Sequence, residues 1–280
     1  SFPTRRSSDL ALQRHGGDDS VRAKLLTNYG NALRSEGRLR DAEAAHREAL
    51  ALRRREDEAP HLIADALFNL GAVLASDERV EEAIPLMHEA IGIWTRELGP
   101  QHPRMLTALS NLAVLAKIEA DYAGAHAYAE QLLALTRSVR GELHPDFAYN
   151  LAVLGAIENW QGDFIAAKDH FDRALALLES PSTSAMRPER RVGLLLTAAS
   201  FRIDAGDLVG ADELLLRARA VKDAPPSDSL YWIGEATARA QLALIRGDLG
   251  TVYLVRPLRL DVYTECQNAL HIPVPVSMPL

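Results

Sequence analysis

Three asparagines stand at nearly equal intervals in the first half of the chain. Asn28, Asn69 and Asn111 are 41 and 42 residues apart, and each lies two residues before a Gly or an Ala. An amide side chain offers both a hydrogen-bond donor and an acceptor, so a row of amides matches the backbone of an extended peptide. One alternative stays open, in which each Asn bonds within its own helix pair and fixes its packing. The later equivalents limit any row to three members: Val153, Thr197 and Ala238.

Reactive chemistry is harder to find in this sequence. The nine histidines share no common position in the repeat described below, and the one Glu-x-x-His pair is Glu43 with His46. A di-metal carboxylate bundle needs two such pairs and two more Glu. No phosphate-binding glycine loop or His-Glu-x-x-His motif is present. The single Cys266 excludes an intramolecular disulfide and a multi-cysteine metal site. We therefore predict a protein that is not an enzyme and uses no cofactor or metal.

The asparagines belong to a longer internal repeat, which is marked by three aligned sets of residues. Small residues recur every 41 to 44 positions: Gly30, Gly71, Ala113, Gly155, Ala199 and Ala240. Seven residues after each comes a turn position: Gly37, Glu78, Ala120, Gly162, Gly206 and Gly247. Twelve residues after the first five small residues comes an alanine: Ala42, Ala83, Ala125, Ala167 and Ala211. Small side chains let two helices approach closely, and Gly suits the left-handed end of a helix. The pattern predicts antiparallel helix pairs joined by tight turns.

The predicted helices form five full pairs and one unpaired first helix. They span about 20–36 and 39–56, 62–77 and 79–97, 104–119 and 122–139, 146–161 and 164–179, 189–205 and 208–222, and 228–246. Leucines at the remaining inward positions, such as Leu67 and Leu154, are expected to fill the core. The linker 180–188 is interpreted as a solvated loop.

This pattern resembles the tetratricopeptide repeat family, although the usual unit has about 34 residues. The junctions RELGPQHP (96–103) and RSVRGELHP (137–145) are similar to those of kinesin-light-chain-type repeats. His102 and His144 in these junctions are expected to help end one helix and start the next. The resemblance covers about residues 21–250 and implies an all-α, right-handed solenoid of antiparallel helix pairs. It also implies that groove asparagines hold a bound peptide.

In such repeat arrays the first helices line a concave binding face. The partner is therefore predicted to be a protein or an extended peptide, with some of the basic residues favouring an acidic one. The chaperone-tail clamp of the family is rejected, because Thr27, Ala72 and Val114 occupy positions that need polar or charged residues. The predicted groove residues are Lys24, Asn28, Asn31, Arg34, Phe68, Asn69, Ser110, Asn111, Lys117, Tyr149 and Asn159.

Composition and the chain ends restrict the remaining possibilities. The formal net charge of -7 argues against a nucleic-acid partner, and no apolar run is long enough for a membrane span. We expect a cytoplasmic protein. Residues 1–10 resemble translated sequencing adapter, so 1–19 is expected to be non-native or disordered, and the chain is expected to be a fragment. Residues 20–250 form the array, and 251–280 are either a degenerate cap or out-of-frame sequence.

Two other roles stay open on the sequence alone. The array is alternatively the sensor or regulatory part of a larger signalling protein, such as a protein kinase or an ATPase, whose catalytic domain is missing. A third role is self-association through the unfinished sixth repeat, which would expose an apolar face.

Overall fold

The computed structural model describes residues 19–224 and 233–247. Within these ranges the chain forms α-helices and one short 3₁₀-helix, Pro181–Thr183, and no strand. The α-helices are α1 (Asp19–Ser35), α2 (Leu39–Arg55), α3 (Pro60–Ser76), α4 (Val80–Leu98), α5 (Arg104–Ile118), α6 (Tyr122–Arg140), α7 (Pro145–Gln161), α8 (Phe164–Leu178), α9 (Pro188–Asp204), α10 (Leu208–Arg219) and α11 (Ile233–Arg246). The predicted all-α pattern is confirmed. The expectations for the adapter-like start and for the tail 251–280 lie outside the described residues.

The chain divides into two compact units, residues 1–150 and 151–280. In the first unit, α1 packs on α2, α3 on α4 and α5 on α6, and α2 also contacts α3 and α4 contacts α5. In the second unit, α9 contacts α8, α10 and α11. The linker carries the 3₁₀-helix, where the Thr183 hydroxyl is buried and donates to the backbone oxygens of α8. Part of the linker is therefore packed against α8, and the expectation of a fully solvated loop is wrong there.

All six predicted turn positions adopt the left-handed backbone conformation, with φ between 57° and 83°. Four of them are Gly, which tolerates this conformation without cost. Glu78 and Ala120 adopt it at φ 60° and 57° although they carry a Cβ atom. The left-handed turn is therefore present in every repeat, including the two in which the residue at the turn position disfavours it.

The small residues lie where the helices of each pair cross. A Cβ atom built on Gly71 would lie 3.2 Å from the Ala83 carbonyl oxygen and 3.1 Å from Met87 Cγ. The same construction on Gly155 meets the Ala167 carbonyl oxygen and the Phe171 ring, both at 3.2 Å. The predicted close approach at Gly and Ala is confirmed. It brings backbones together while large side chains fill the space beside them.

Side chains at the helix starts satisfy backbone N–H groups that have no partner within the helix. Asp121 and Asp163 accept from the N–H groups of Gly124 at 2.9 Å and Ala166 at 3.1 Å, and so cap α6 and α8. His144 Nδ1 accepts from the Asp146 N–H at 3.1 Å, at the start of α7. His102 does the same for Arg104 before α5, at 3.3 Å. The prediction that these two histidines help to start helices is confirmed.

Candidate peptide-binding surface

The first helices of the three pairs in unit 1 lie side by side. Besides its own partner, α1 contacts α3, and α3 contacts α5. Asn28 lies on α1, Asn69 on α3 and Asn111 on α5, at the same position of each helix relative to the crossing residue. Asn28 is exposed, and the other two are half-buried. The fold therefore places the three amides on three adjacent helices.

The amides of these asparagines have no hydrogen bond to any other residue in 19–224 or 233–247. Two other asparagines show the contrast. Asn150 Nδ2 donates to the buried Thr136 Oγ1 at 2.9 Å, and Asn159 Nδ2 donates to Asp204 Oδ2 at 2.8 Å. Asn150 and Asn159 thus have partners for their amide nitrogens, whereas the three aligned amides each keep an unpaired donor and acceptor within the described residues.

Polar and basic side chains surround the first of these amides on α1. Lys24 lies four residues before Asn28 and Asn31 three residues after it, so both share its side of the helix. Arg34 follows three residues after Asn31, at the edge of that side. Lys24 and Arg34 are exposed, and Asn31 is half-buried. Neither cation forms an ion pair with another described residue. This end of the surface is therefore positively charged.

On α5, Ser110 and Lys117 flank Asn111. Ser110 is half-buried, and Lys117 is exposed near the end of the helix. Desolvation by the neighbouring protein lowers the pKa of the Lys117 ammonium from its ordinary value.

Three of the predicted groove residues have other surroundings. Phe68 is half-buried and packs on Trp94, with 5.3 Å between ring centroids, so it belongs mainly to the core of the second pair. Tyr149 is half-buried on α7 and already interacts with another group. Asn159 lies in the second unit, where it binds Asp204. The structure places the remaining eight on α1, α3 and α5.

A half-buried polar cluster at α3 was not predicted from the sequence. Asp65 Oδ1 accepts from the Trp94 indole N–H at 3.1 Å, and Asp65 Oδ2 accepts from the Arg104 guanidinium at 2.8 Å. Burial raises the pKa of the Asp65 carboxyl, and Arg104 opposes this rise. The cluster joins α3, α4 and α5.

No group of three or more His, Cys, Asp or Glu side chains within the described ranges is arranged to hold a metal ion. No helix in those ranges is both long and apolar enough to span a membrane.

Comparisons with known proteins agree with this architecture. Two family models, both described as tetratricopeptide repeat, match residues 22–56 and 62–138. No curated protein sequence matches the chain. Solved structures with a similar fold include BtubC (BKLC) from P. vanneervenii, with a TM-score of 0.66, 21% identity, and coverage of 80% of this chain and 93% of that one.

Two further structures extend this likeness. A putative kinesin light chain from Podosopora anserina with nearly identical TPR-like repeats has a TM-score of 0.62 and 18% identity over 73% of this chain and 96% of that one. A Rap protein complexed with Competence and Sporulation Factor has a TM-score of 0.66 and 15% identity over 96% and 73%. These identities show a shared fold. Residues 22–56 and 62–138 are therefore tetratricopeptide repeats, and the chain has the all-helical fold of a repeat solenoid, similar to kinesin-light-chain-like repeat proteins.

Proposed function

We propose that this chain is a non-catalytic scaffold whose first unit binds an extended peptide across α1, α3 and α5. The observation that carries the proposal is the row of Asn28, Asn69 and Asn111, whose amides have no partner among the described residues. An extended peptide presents backbone N–H and C=O groups at regular intervals, and each amide is able to pair with one of each. The backbone of the ligand supplies the affinity in this mode, and its side chains supply the specificity.

Two general considerations support binding rather than chemistry. Tetratricopeptide repeats generally act as protein-interaction scaffolds, and the Rap protein of similar fold was solved with Competence and Sporulation Factor bound. A preformed helical surface loses little conformational entropy on binding, so a modest number of hydrogen bonds is enough for useful affinity.

The proposal is tested with a peptide selected on the protein itself. A displayed library of random twelve-residue peptides is panned against the immobilised full chain, and an enriched peptide is synthesised with a fluorescent label. Fluorescence anisotropy then gives its dissociation constant for the wild type and for Asn69→Ala combined with Asn111→Ala. With about 1 kcal/mol for each lost amide interaction, the double variant should bind roughly 30-fold more weakly.

The matched control is Gln131→Ala, which removes an exposed amide from the second helix α6. It should leave the dissociation constant unchanged. The proposal is wrong if panning enriches no peptide, or if an enriched peptide binds the double asparagine variant as tightly as the wild type.

A further inference from the structure

The three first helices of unit 1 present different chemistry on the same side. Three residues after the aligned amides, the sequence changes from Asn31 on α1 to Ala72 on α3 and Val114 on α5. Seven residues after Asn111 comes Ile118, where α1 and α3 carry serine. Residues at intervals of three, four and seven share one side of a helix. The surface thus changes from polar at Asn31 on α1 to apolar at Val114 and Ile118 on α5. The exposed Lys117 of α5 already interacts with another group of the protein.

The α1 end is suited to carboxylates. The other charged side chains of α1 are paired, Arg22 with Glu48 and Asp19 with Arg55. Lys24 and Arg34 remain exposed and form no ion pair within the described part of the chain. No acidic side chain of α1 opposes them on this side, so the local field is positive. Such a field attracts a negatively charged ligand segment and disfavours a basic one.

The α5 end is suited to an apolar side chain. Val114 is 50% exposed and Ile118 is 57% exposed. They stand four residues apart on α5 and therefore form one continuous apolar strip beside Asn111. The helix between the two ends, α3, carries the uncharged residues Ala72, Ala75 and Ser76 at the corresponding positions. Its Asp65 carboxylate is already bound by Arg104. The middle of the surface therefore adds no opposing charge.

We infer that this surface selects extended peptides that carry acidic side chains at one end and an apolar side chain at the other. The acidic residues contact Lys24 and Arg34, and the apolar residue covers Val114 and Ile118. Neighbouring helix axes are about 8–10 Å apart, so α1 and α5 are separated by about 18 Å. An extended chain rises about 3.3 Å per residue, which places the two groups about five or six residues apart. This inference rests on the proposed peptide binding and adds the ligand's chemistry to it.

The same random twelve-residue library provides the test. Enriched peptides should contain Asp or Glu and, five or six residues away, a Leu, Ile, Val, Met or aromatic residue. Peptides that place the two groups next to each other should be depleted. Panning against Lys24→Glu combined with Arg34→Glu should enrich basic residues in place of the acidic ones, because the field at α1 is then reversed.

Affinities of one enriched peptide separate the two ends of the surface. The charge-reversed variant should bind it at least about tenfold more weakly, with a loss that shrinks as salt is added. Val114→Ser combined with Ile118→Ser should weaken binding by about tenfold with no change in salt dependence. Matched controls are Arg40→Glu with Arg96→Glu, two exposed cations on second helices, and Ile165→Ser with Val209→Ser, exposed on second helices at 87% and 80%. Both controls should bind like the wild type.

The outcomes distinguish this inference from the proposed function. If no peptide is enriched, the proposed peptide binding itself fails. If peptides are enriched and depend on Asn69 and Asn111, but lack the acidic and apolar groups at this spacing, peptide binding stands and the inference is overturned. It is also overturned if the control variants weaken binding as much as the variants on α1 and α5.

Discussion

His46 gives the first pair of helices an acid-sensitive core. Its side chain lies on α2 at 0% exposure, and neither ring nitrogen has a hydrogen-bond partner among the described residues. Burial, with a smaller contribution from the charge of Arg34, lowers the pKa of His46 from 6.5 to about 4. The imidazole is therefore neutral at pH 7, and protonation places an unpaired charge in an apolar helix crossing.

The pKa values give the size and the sign of the effect. The difference between 6.5 in the unfolded chain and about 4 in the folded one corresponds to roughly 3 kcal/mol. Because the unfolded chain binds the proton more readily, the free energy of unfolding decreases as the pH falls from about 6.5 to about 4. Above pH 6.5 the residue adds no pH dependence. At pH 5 the loss should already reach about 2 kcal/mol.

His46→Met is the informative substitution, because Met87 occupies the same place against Gly71 in the next pair. Hydrogen exchange measured by mass spectrometry on peptides from α1 and α2 reports the opening free energy of this pair alone. At pH 7 the variant should be more stable by about 1 kcal/mol, since two orphaned ring nitrogens are removed. At pH 5 its advantage should grow by about 2 kcal/mol. An advantage that stays constant between pH 7 and pH 5 would refute the reasoning.

Three further predictions concern the crossings, turns and caps. Gly30→Ala places a Cβ atom 2.6 Å from His46 Nε2, so it should lower the free energy of unfolding, measured by thermal denaturation, by about 1–3 kcal/mol. Adding His46→Ala should recover most of that loss, and a double variant without recovery would contradict a direct contact between residues 30 and 46. Ala120→Gly removes the Cβ atom of a residue held in the left-handed conformation at φ 57°. It should stabilise the fold by up to about 1 kcal/mol, once the greater entropy of Gly in the unfolded chain is subtracted, and a lower urea midpoint would argue against this. Asp163→Ala removes the cap of α8 and should destabilise that helix by about 1 kcal/mol, measured as faster hydrogen exchange in its first turn. Asp163→Ser should keep most of the protection from exchange, and equal loss of protection in both variants would exclude a capping role.

The helices were predictable to within a few residues for a definite physical reason. A helix crossing accepts only small side chains, and a tight left-handed turn favours Gly, so these positions recur with the repeat. The predicted helix 104–119 corresponds to Arg104–Ile118, and 164–179 corresponds to Phe164–Leu178. The second helix of the fifth pair ends at Arg219, three residues before the predicted end. Helix ends depend on individual caps rather than on the repeat, so they are less well determined.

The candidate surface was only partly predictable. Helical periodicity places Lys24, Asn28 and Asn31 on one side of α1, and the repeat transfers this side to α3 and α5. Periodicity does not reveal that the Phe68 ring packs on Trp94. Phe68 directly precedes the surface residue Asn69, and one residue step along a helix is enough to move a side chain from the surface to the edge of the core. It also does not reveal the bond between Asp65 and Arg104, which are 39 residues apart and have no equivalents in the other pairs.

The spacing of the candidate amides depends on buried residues that no ligand would touch. The residue sixteen positions after the small anchor faces it in the pairs of Gly30, Gly71 and Gly155, and the other two pairs have residues at the equivalent positions. The pairs are Gly30 with His46, Gly71 with Met87, Ala113 with Ala129, Gly155 with Phe171, and Ala199 with Leu215. Gly is paired with His46, Met87 and Phe171, whereas Ala is paired with Ala129 and Leu215. Because interiors are close-packed, enlarging one member of a pair forces the two helices apart unless the other member shrinks. Such a displacement moves α1, α3 or α5, and with it one amide of the row. The binding surface proposed for unit 1 is thus set by size matching inside each pair, and substitutions in the core should alter peptide affinity without changing a single surface residue.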